Sequence, residues 1–523
     1  MTTIVDLLED SAAGIGTVVF LPDERPLGIG ALWAESAGAA TAVSRRAGTG
    51  GAVGAFLANT RAAVRGALGV WASGNTLVSL PLRAPRQDQS AWLGHVRRMC
   101  RLAGVEVVLA PAAQVAELAE AGLTAVGYEA LPDSGRGAFP APGAGDLVQF
   151  TSGSTSHPKG VVLSGHALAE NVLAIRNAVD LGHADVTVSW LPLSHDMGLV
   201  GMLLTPLVAA ARQFGGSQAV IMEPEYFMRD PARWLQACTK FGGTVTTVPN
   251  SAFDLATRTR VRHSGVDVSS LRICITGAER IRPDTIRAFV SAFAALGLDE
   301  RVLCPAYGMA ENGLAVTLVR PDEHWRAVTV SDPAGVGTSE VVSTGRPLEG
   351  VRVRIDSPDQ PDGEIQVASP SLLDRYLGAE VPWTADGWFR TRDSGFMEDG
   401  ELFVLGRIDD TIDVGGRNVH PEDIEGACEH AELGPNAVAA IPWADRRVAV
   451  VAEVQRATAD LDSIAGDVLE AVSRRTGVVI SAIFFVRRGM LRRTTSGKLR
   501  RGELEKRITA GDIEIVARFG KDA

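Results

Sequence analysis

Cysteine is scarce in this chain, positive charge is in deficit, and long apolar runs are missing. The five cysteines, Cys100, Cys238, Cys274, Cys304 and Cys428, are odd in number, scattered and nowhere spaced C-x-x-C. That pattern supplies neither a disulfide frame nor a zinc site, and it reads as buried thiols in a reducing cytosol. Basic residues number 51 against 62 acidic ones, a formal net charge of −11. No broad basic face can be built from that balance, which excludes a general nucleic-acid binder but leaves room for a local patch that meets a phosphorylated ligand. The most membrane-like stretch, 199–211, is too short to span a bilayer and contains Pro206. The first eleven residues carry Asp6, Glu9 and Asp10 and no basic residue, so no signal peptide is expected. A cytoplasmic protein without a membrane span is the expectation. A Walker loop, G-x-x-x-x-G-K-S/T opening a helix, is absent as well.

What is present is an ordinary globular composition, 46% hydrophobic and 22% charged over 523 residues, enough for about three or four structural units. Residues 1–145 are rich in Ala and Gly. The patterns predict a helix over 60–71 with Ala63, Val64 and Leu68 on one side, a strand over 76–81, a helix over 92–103 and a strand over 105–110. Such alternation with short connections indicates parallel βαβ units. A Gly/Pro/Ala linker, 133–145, then leads into the central stretch.

That stretch runs from Leu147 to Leu163. Two apolar segments flank Thr151, Ser152, Gly153, Ser154, Thr155, Ser156, His157, Pro158 and Lys159. Small residues let backbone N–H groups approach an anion, hydroxyls add donors, and Lys159 adds a mobile positive charge. A flexible Ser/Gly linker would need neither the paired apolar flanks nor Pro-Lys-Gly at its end. A strand–loop–strand hairpin that holds a polyphosphate is expected.

Downstream, a helix over 165–181 and a strand over 186–191 lead to Pro192-Leu193-Ser194-His195-Asp196-Met197-Gly198-Leu199. No third ligand stands near His195 and Asp196 at metal spacing, so zinc is not expected. Strands over 272–276 and 302–305 precede Gly277-Ala278-Glu279 and Ala306-Tyr307-Gly308-Met309-Ala310-Glu311-Asn312. Glycine turns at strand C-termini are where open α/β sheets bind ligands. A small β unit is expected over 351–367, followed by a hairpin through Asp399-Gly400. A helix over 421–431, strands over 437–441 and 448–455, an amphipathic helix over 462–476 (Ile464, Val468 and Val472 on one face, Gly477 beyond its end) and a strand over 478–486 follow. The chain then enters a basic run that contains Thr494-Thr495-Ser496-Gly497-Lys498.

In this order the blocks T-S-G-S-T-x-x-P-K-G, H-D-M-G-L, G-A-E, Y-G-x-x-E, the segment of Asp393 and Arg407, and S-G-K resemble the adenylate-forming (ANL) superfamily of acyl-CoA synthetases, peptide-synthetase adenylation domains and luciferases. The resemblance spans roughly residues 45–505. It implies an α/β fold with a large N-terminal domain, 1–406, of βαβ-type subdomains plus a small β unit, and a small mobile α+β domain, 407–523. It implies that Thr151 to Lys159 hold the phosphates of ATP, with Thr151 and Glu311 on Mg²⁺. Gly277, Ala278 and Glu279 would lie along the adenine, and Tyr307, next to Gly308, would stack on it. Asp393 would hold the ribose with Arg407 as its partner, a task suited to an acceptor with two oxygens. His195 would stand between the nucleotide and acyl sites, and Asp409 would be the hinge. Lys498 would enter the site during adenylation, and a loop around Val414 to Arg417 would replace it for thioester formation.

The implied reaction is ATP-dependent activation of a carboxylic acid as acyl-AMP, then transfer to a thiol. A phosphotransferase, which would release ADP, is the competing class, and a member limited to one half-reaction is another. The spellings H-D-M-G-L, G-A-E and Arg417-Asn418-x-x-Pro421-x-Asp423-Ile424-Glu425 resemble the fatty acyl-AMP ligase branch, as does Ala310 where many relatives have Thr. That branch loads acyl or peptidyl carrier proteins and typically carries an extra segment after Y-G-x-x-E. Only about thirty residues separate Asn312 from Gly345 here, so coenzyme A is the expected acceptor and a carrier-protein phosphopantetheine the alternative. Gly165 and Arg493 depart from the family pattern. The acid is not legible, although the Leu/Met/Val run after His195 permits an apolar one.

Overall fold

The computed structural model describes residues 1–83, 88–132, 143–151, 159–182, 184–259, 265–331, 338–357, 362–414, 417–428, 433, 437–443, 447–454, 460–493 and 499–520. Two large sheets dominate the N-terminal part. The first has seven strands in the order Arg375–Leu377, Lys159–Leu163, Leu147–Thr151, Thr76–Leu80, Ala52–Phe56, Val105–Ala110 and Thr124–Gly127. Its central pairs are parallel, as the helix–strand alternation predicts. Helix Arg61–Ala72 starts where the Thr60 hydroxyl accepts the Ala63 N–H at 3.3 Å, and Gln89–Ala103 starts where Asp88 accepts from Ala91 at 2.7 Å. Both helices begin within a few residues of the expected positions.

The second sheet has nine strands, with Leu303–Gly308, Ile273–Gly277, Val245–Pro249, Asp185–Ser189, Ser217–Met222 and Thr17–Leu21 as consecutive neighbours. Thr17–Leu21 pairs parallel with Ser217–Met222 (Thr17 opposite Gln218). The start of the chain therefore belongs to the second sheet, not to the βαβ run that follows it. A stacked aromatic layer, Trp234, Phe253, Phe289 and Phe293, supports one face of this sheet, with Phe253 and Phe289 centroids 4.3 Å apart.

Helix Gly165–Ala178 is three residues shorter than expected, because Arg176 Nε donates to the Leu181 carbonyl at 2.7 Å as the chain turns toward Asp185–Ser189. Gly165 now has a reason. A Cβ there would lie 1.6 Å from the Ala144 carbonyl oxygen, while its N–H donates to Asp146 at 2.9 Å. The apolar run after His195 forms a buried π-helical segment, Met197–Leu204, continued by Thr205–Ala209. Among the described residues no helix is long and apolar enough to cross a membrane.

A four-stranded antiparallel unit, Arg352–Asp356, Gly363–Ala368, Phe389–Glu398 and Glu401–Arg407, completes the larger part. The smaller C-terminal part is α+β. Strands Val438–Trp443, Arg447–Val454, Ala482–Arg487 and Ile515–Phe519 form its sheet, with helices Pro421–Ala427, Leu461–Thr476 and Arg501–Thr509. Ile464, Val468 and Val472 are buried as the periodicity requires, and Gly477 takes φ +64° to cap the helix. Helix Pro421–Ala427 ends earlier than expected. Val478 and Ile480 are buried but pair with no strand, so the strand there starts at Ala482. All five cysteines are buried, and burial pushes the Cys238 thiol up to about 12.

Candidate active site

The expected hairpin is present. Leu147–Thr151 pairs antiparallel with Lys159–Leu163, so that Thr151 stands opposite Lys159 at the mouth of the loop. Ser152, Gly153, Ser154 and Thr155 lie outside the described residues, as do Lys498 and the pair Gly415 and Gly416. The hairpin's two strands are buried along Leu147, Val148, Val161, Val162 and Leu163.

Lys159 and Glu311 converge on a residue the sequence did not single out. The Tyr376 hydroxyl donates to Glu311 Oε1 at 2.7 Å, and Lys159 Nζ lies 5.9 Å from the centre of the same ring. Tyr376 reaches this position because Arg375–Leu377 adds to the hairpin edge, with Tyr376 opposite Val161. The backbone of Glu311 is also held, its carbonyl accepting the Leu373 N–H at 2.8 Å. The fully buried Asn171 binds both backbone atoms of Ala315, at 2.9 and 3.1 Å, closing the turn that carries Glu311.

Tyr307 and Asp393 meet directly, the phenol donating to Asp393 Oδ2. Burial, and then the neighbouring Asp393 carboxylate, raise the Tyr307 pKa well above its ordinary value, so the phenol stays a donor. Arg407 Nε lies 3.3 Å from Asp393 Oδ1 across the antiparallel pair in which Asp393 and Arg407 are directly opposed. Asp409 follows in the short helical turn Ile408–Asp410, held by Arg392, which keeps its carboxyl below the usual range.

Gly277 ends its strand so tightly that a Cβ would lie 2.6 Å from the Ala306 carbonyl oxygen, and Gly308 meets the Leu314 carbonyl in the same way at 2.2 Å. Ala278 takes φ +67°, and the Glu279 carboxylate accepts the Ser251 N–H. Burial raises the Glu279 pKa despite that hydrogen bond and the nearby Arg493 and Arg282. His195 Nδ1 lies 2.6 Å from Asp196 Oδ1. The loop before it is held by buried Asn59, which donates to Leu191 and Met222 carbonyls and accepts from the Leu193 N–H, and by Gln149, which donates to the Ser194 carbonyl at 2.7 Å.

Pairwise contacts link the hairpin mouth to the Glu311 turn through Tyr376, the Tyr307 turn to the Asp393–Arg407 pair, and the hairpin strand to the loop before His195 through Gln149. Tyr376, Asn59 and Asn171 were missed. The only signal for Tyr376 was that the chain has four tyrosines, and a second one lies in the site.

A family model described as AMP-binding enzyme matches residues 17–377. The chain belongs to the AMP-binding enzyme family. This AMP-binding enzyme is 33% identical over 409 residues to the medium-chain fatty acid–acyl-carrier-protein ligase JamA of Moorena producens, covering 70% of this chain and 68% of the relative. It is 34% identical over 420 residues to the long-chain fatty acid–AMP ligase FadD26 of Mycobacterium marinum, covering 71% of each. A solved structure from a study of fatty acyl-adenylate ligases of E. coli and L. pneumophila superposes with a TM-score of 0.85 at 26% identity, covering 98% of both chains. The L. pneumophila ligase solved with acyl adenylate and pyrophosphate gives 0.71 at 26% identity, covering 99% of this chain and 98% of that one. The adenylate-forming superfamily read from the motifs is therefore borne out, as is the fold class.

Proposed function

We propose that the protein is a fatty acyl-AMP ligase that activates an apolar carboxylic acid with Mg-ATP and hands the acyl group to the phosphopantetheine thiol of a carrier protein. The observation that carries the adenylation is the convergence of Lys159 and Glu311 on Tyr376, next to the Tyr307–Asp393–Arg407 set. The acceptor reading reverses the sequence expectation of coenzyme A. The stretch whose shortness favoured coenzyme A folds as a hairpin, Ala327–Ser331 with Thr338–Val342, and its second strand lies against helix Leu461–Thr476 of the smaller part. Against that brevity stand the names of the relatives: one is an acyl-carrier-protein ligase, which supports a carrier protein, and the other is named for ligation to AMP.

The residues divide the first step among themselves. Asp393, steadied by Arg407 and Tyr307, would accept the ribose hydroxyls, and the Gly277 turn would admit the adenine edge. The hairpin loop and Lys159 would hold the outgoing phosphates. Among the described residues no three His, Cys, Asp or Glu side chains are grouped to cage a metal. Glu311, oriented by the Tyr376 hydroxyl, offers the single carboxylate that Mg²⁺ needs beside substrate phosphates. It would hold the ion, which when bound neutralises phosphate charge. The acid's carboxylate oxygen attacks the α-phosphorus, and the bond to the β-phosphate oxygen breaks to release pyrophosphate. Lys498 is proposed as the cation that lets these two anions meet. In the second step the carrier thiolate attacks the acyl carbon and AMP leaves. No enzyme nucleophile is required, and the buried cysteines offer none.

Incubation of the full chain with a panel of fatty acids and Mg-ATP, with mass spectrometry of the products, tests the reading. Pyrophosphate and acyl-AMP are expected, with acyl transfer to a phosphopantetheinylated carrier protein and much slower transfer to coenzyme A. A coenzyme A thioester formed as fast as the loaded carrier overturns the acceptor, and ADP in place of AMP overturns the whole reading.

A further inference from the structure

The Gly277 turn does not end with the residues expected along the adenine. Arg280 leaves it immediately, and its base is fixed from three sides. Gly277 is packed on Ala306, Glu279 accepts from Ser251, and the Arg282 N–H donates to Asn250 Oδ1 at 3.1 Å. From this base Arg280 Nη2 reaches across to the smaller part and lies 2.6 Å from Asp423 Oδ1, with both side chains only about one-fifth exposed (20% and 23%).

Asp423 belongs to the first turn of helix Pro421–Ala427, where a carboxylate also meets the positive end of the helix. The same short helix carries Glu422 and Glu425, which hold Arg501 at 2.7 and 2.9 Å. Arg501 opens helix Arg501–Thr509 directly after the segment that contains Lys498. The base of that segment is closed by a bridge between Arg493 and Leu499, and by the Arg500 N–H donating to the Arg492 carbonyl at 3.0 Å. At its entry the helix is seated by His420, whose Nε2 lies 3.4 Å from Ser394 Oγ and whose ring fills the space beside Gly406. A line of ion pairs thus runs from the adenine turn through one helix to the frame of the Lys498 segment.

We propose that Arg280 is a positioning residue that latches the smaller part in the orientation used for adenylation, an inference that rests on the adenylating function proposed above. The latch joins two rigid supports, so its loss lets the smaller part leave that orientation without disturbing either support. Transfer, which needs Lys498 withdrawn, does not use the contact.

The test uses the full-length chain. Dyes attached at Met228→Cys and Val479→Cys, both exposed positions (62% and 74%), report the separation of the two parts, because the five native cysteines are buried. Acyl-AMP formation and transfer from supplied acyl-AMP to a carrier thiol are measured separately. Arg280→Ala and Asp423→Ala are each expected to slow acyl-AMP formation about tenfold, because a mostly buried pair is broken on one side, and to change the dye separation. Transfer from supplied acyl-AMP stays near the parent rate. Arg280→Lys keeps the charge and most of the rate, and the exchange Arg280→Asp with Asp423→Arg restores both rate and separation. Equal slowing of both half-reactions, an unchanged dye separation, or no recovery in the exchanged pair would each overturn the latch. If the parent protein forms no acyl-AMP from any acid, the functional reading fails, and the dye separations still decide the latch.

Discussion

Two of the aspartate–arginine pairs among the described residues, Asp185–Arg272 and Asp393–Arg407, lie in or beside sheet strands, and they are built for opposite ends. Asp185 is 7% exposed and receives Arg272 twice, at 2.8 and 2.6 Å, together with the Gly182 N–H at 3.0 Å and the Thr244 hydroxyl at 2.7 Å. Arg272 also donates to the Val179 and Asp180 carbonyls. The cleft beside it, ≈ 780 Å³, also contains Arg176, committed to Leu181 and stacked on Phe214, and Arg212, committed to Ala13. Each of these three arginines has at least one donor held by a backbone carbonyl beside the cleft. Asp393 has a different economy. It receives one Tyr307 hydroxyl and a single Arg407 nitrogen at 3.3 Å, and the other donor from Arg407, to the Thr391 carbonyl, is long at 3.4 Å. The first pair is saturated and closes a sheet. The second keeps hydrogen-bonding capacity in reserve, and that reserve suits it to a ligand.

Breaking the saturated pair has the largest expected effect, and the effect is on stability. Asp185→Asn leaves Arg272 partly buried without its charge partner, a loss of about 3 kcal/mol. Activity per folded molecule should not change. Burial alone would raise the Asp185 pKa, but the Arg272, Gly182 and Thr244 donors outweigh it and hold the carboxyl below its usual range. A depressed folded-state value means that the stabilisation is complete above the unfolded value of about 3.9 and is lost as pH falls through the folded one. Urea unfolding should therefore show the full gap between parent and variant at pH 7 and a shrinking gap below about pH 4. A gap that stays constant into the acid range would mean that shape, not charge, holds this end of the sheet.

Asp393→Ala attacks the unsaturated pair and should reverse the outcome. Melting is expected to shift little, because Asp393 carries few internal bonds. Acyl-AMP formation should fall about 10²-fold as a charge-assisted bond to each ribose hydroxyl is lost. Calorimetry with ATP should show the loss as weaker binding. A variant that binds ATP normally but melts early would place Asp393 with Asp185 as scaffold.

The contrast also shows what a sequence can reveal. The hairpin 147–163 was legible because paired apolar flanks bounded a run of small residues, and both constraints are local. The glycine turns were legible because they close predicted strands. Which Asp–Arg pair is saturated depends on Gly182, Thr244 and the two carbonyls at 179 and 180, and no periodicity records those partners. Tyr376 was illegible for a related reason. A three-residue strand, Arg375–Leu377, has no pattern of its own and finds the hairpin edge only in the folded chain. Gly165 departed from the family spelling without a visible cause until the Ala144 carbonyl was found where its side chain would be. For Ser152 to Thr155 and for Lys498, outside the described residues, the sequence reading stands alone.

Tyr307→Phe makes the finest cut between the two pairs, and its expected effect is the smallest. The change deletes one hydroxyl and keeps the ring. If the ring lies on the adenine as the family resemblance implies, stacking is preserved and only the donor to Asp393 Oδ2 is lost. Asp393 is then left with Arg407 alone and can turn away from the ribose. A single hydrogen bond to a charged group contributes about 1.5–3 kcal/mol at most. Asp393 keeps Arg407 as a partner, so a value near the low end, about tenfold in ATP affinity, is expected. The control lies in the ligand. With 2′-deoxy-ATP, which offers Asp393 one hydroxyl fewer, the penalty for losing the Tyr307 hydroxyl should shrink, because less of the binding depends on how Asp393 is aimed. Equal penalties with ATP and 2′-deoxy-ATP would mean that Tyr307 acts on the base and not through Asp393. The Tyr307–Asp393 bond would then be a scaffold contact like those of Asp185.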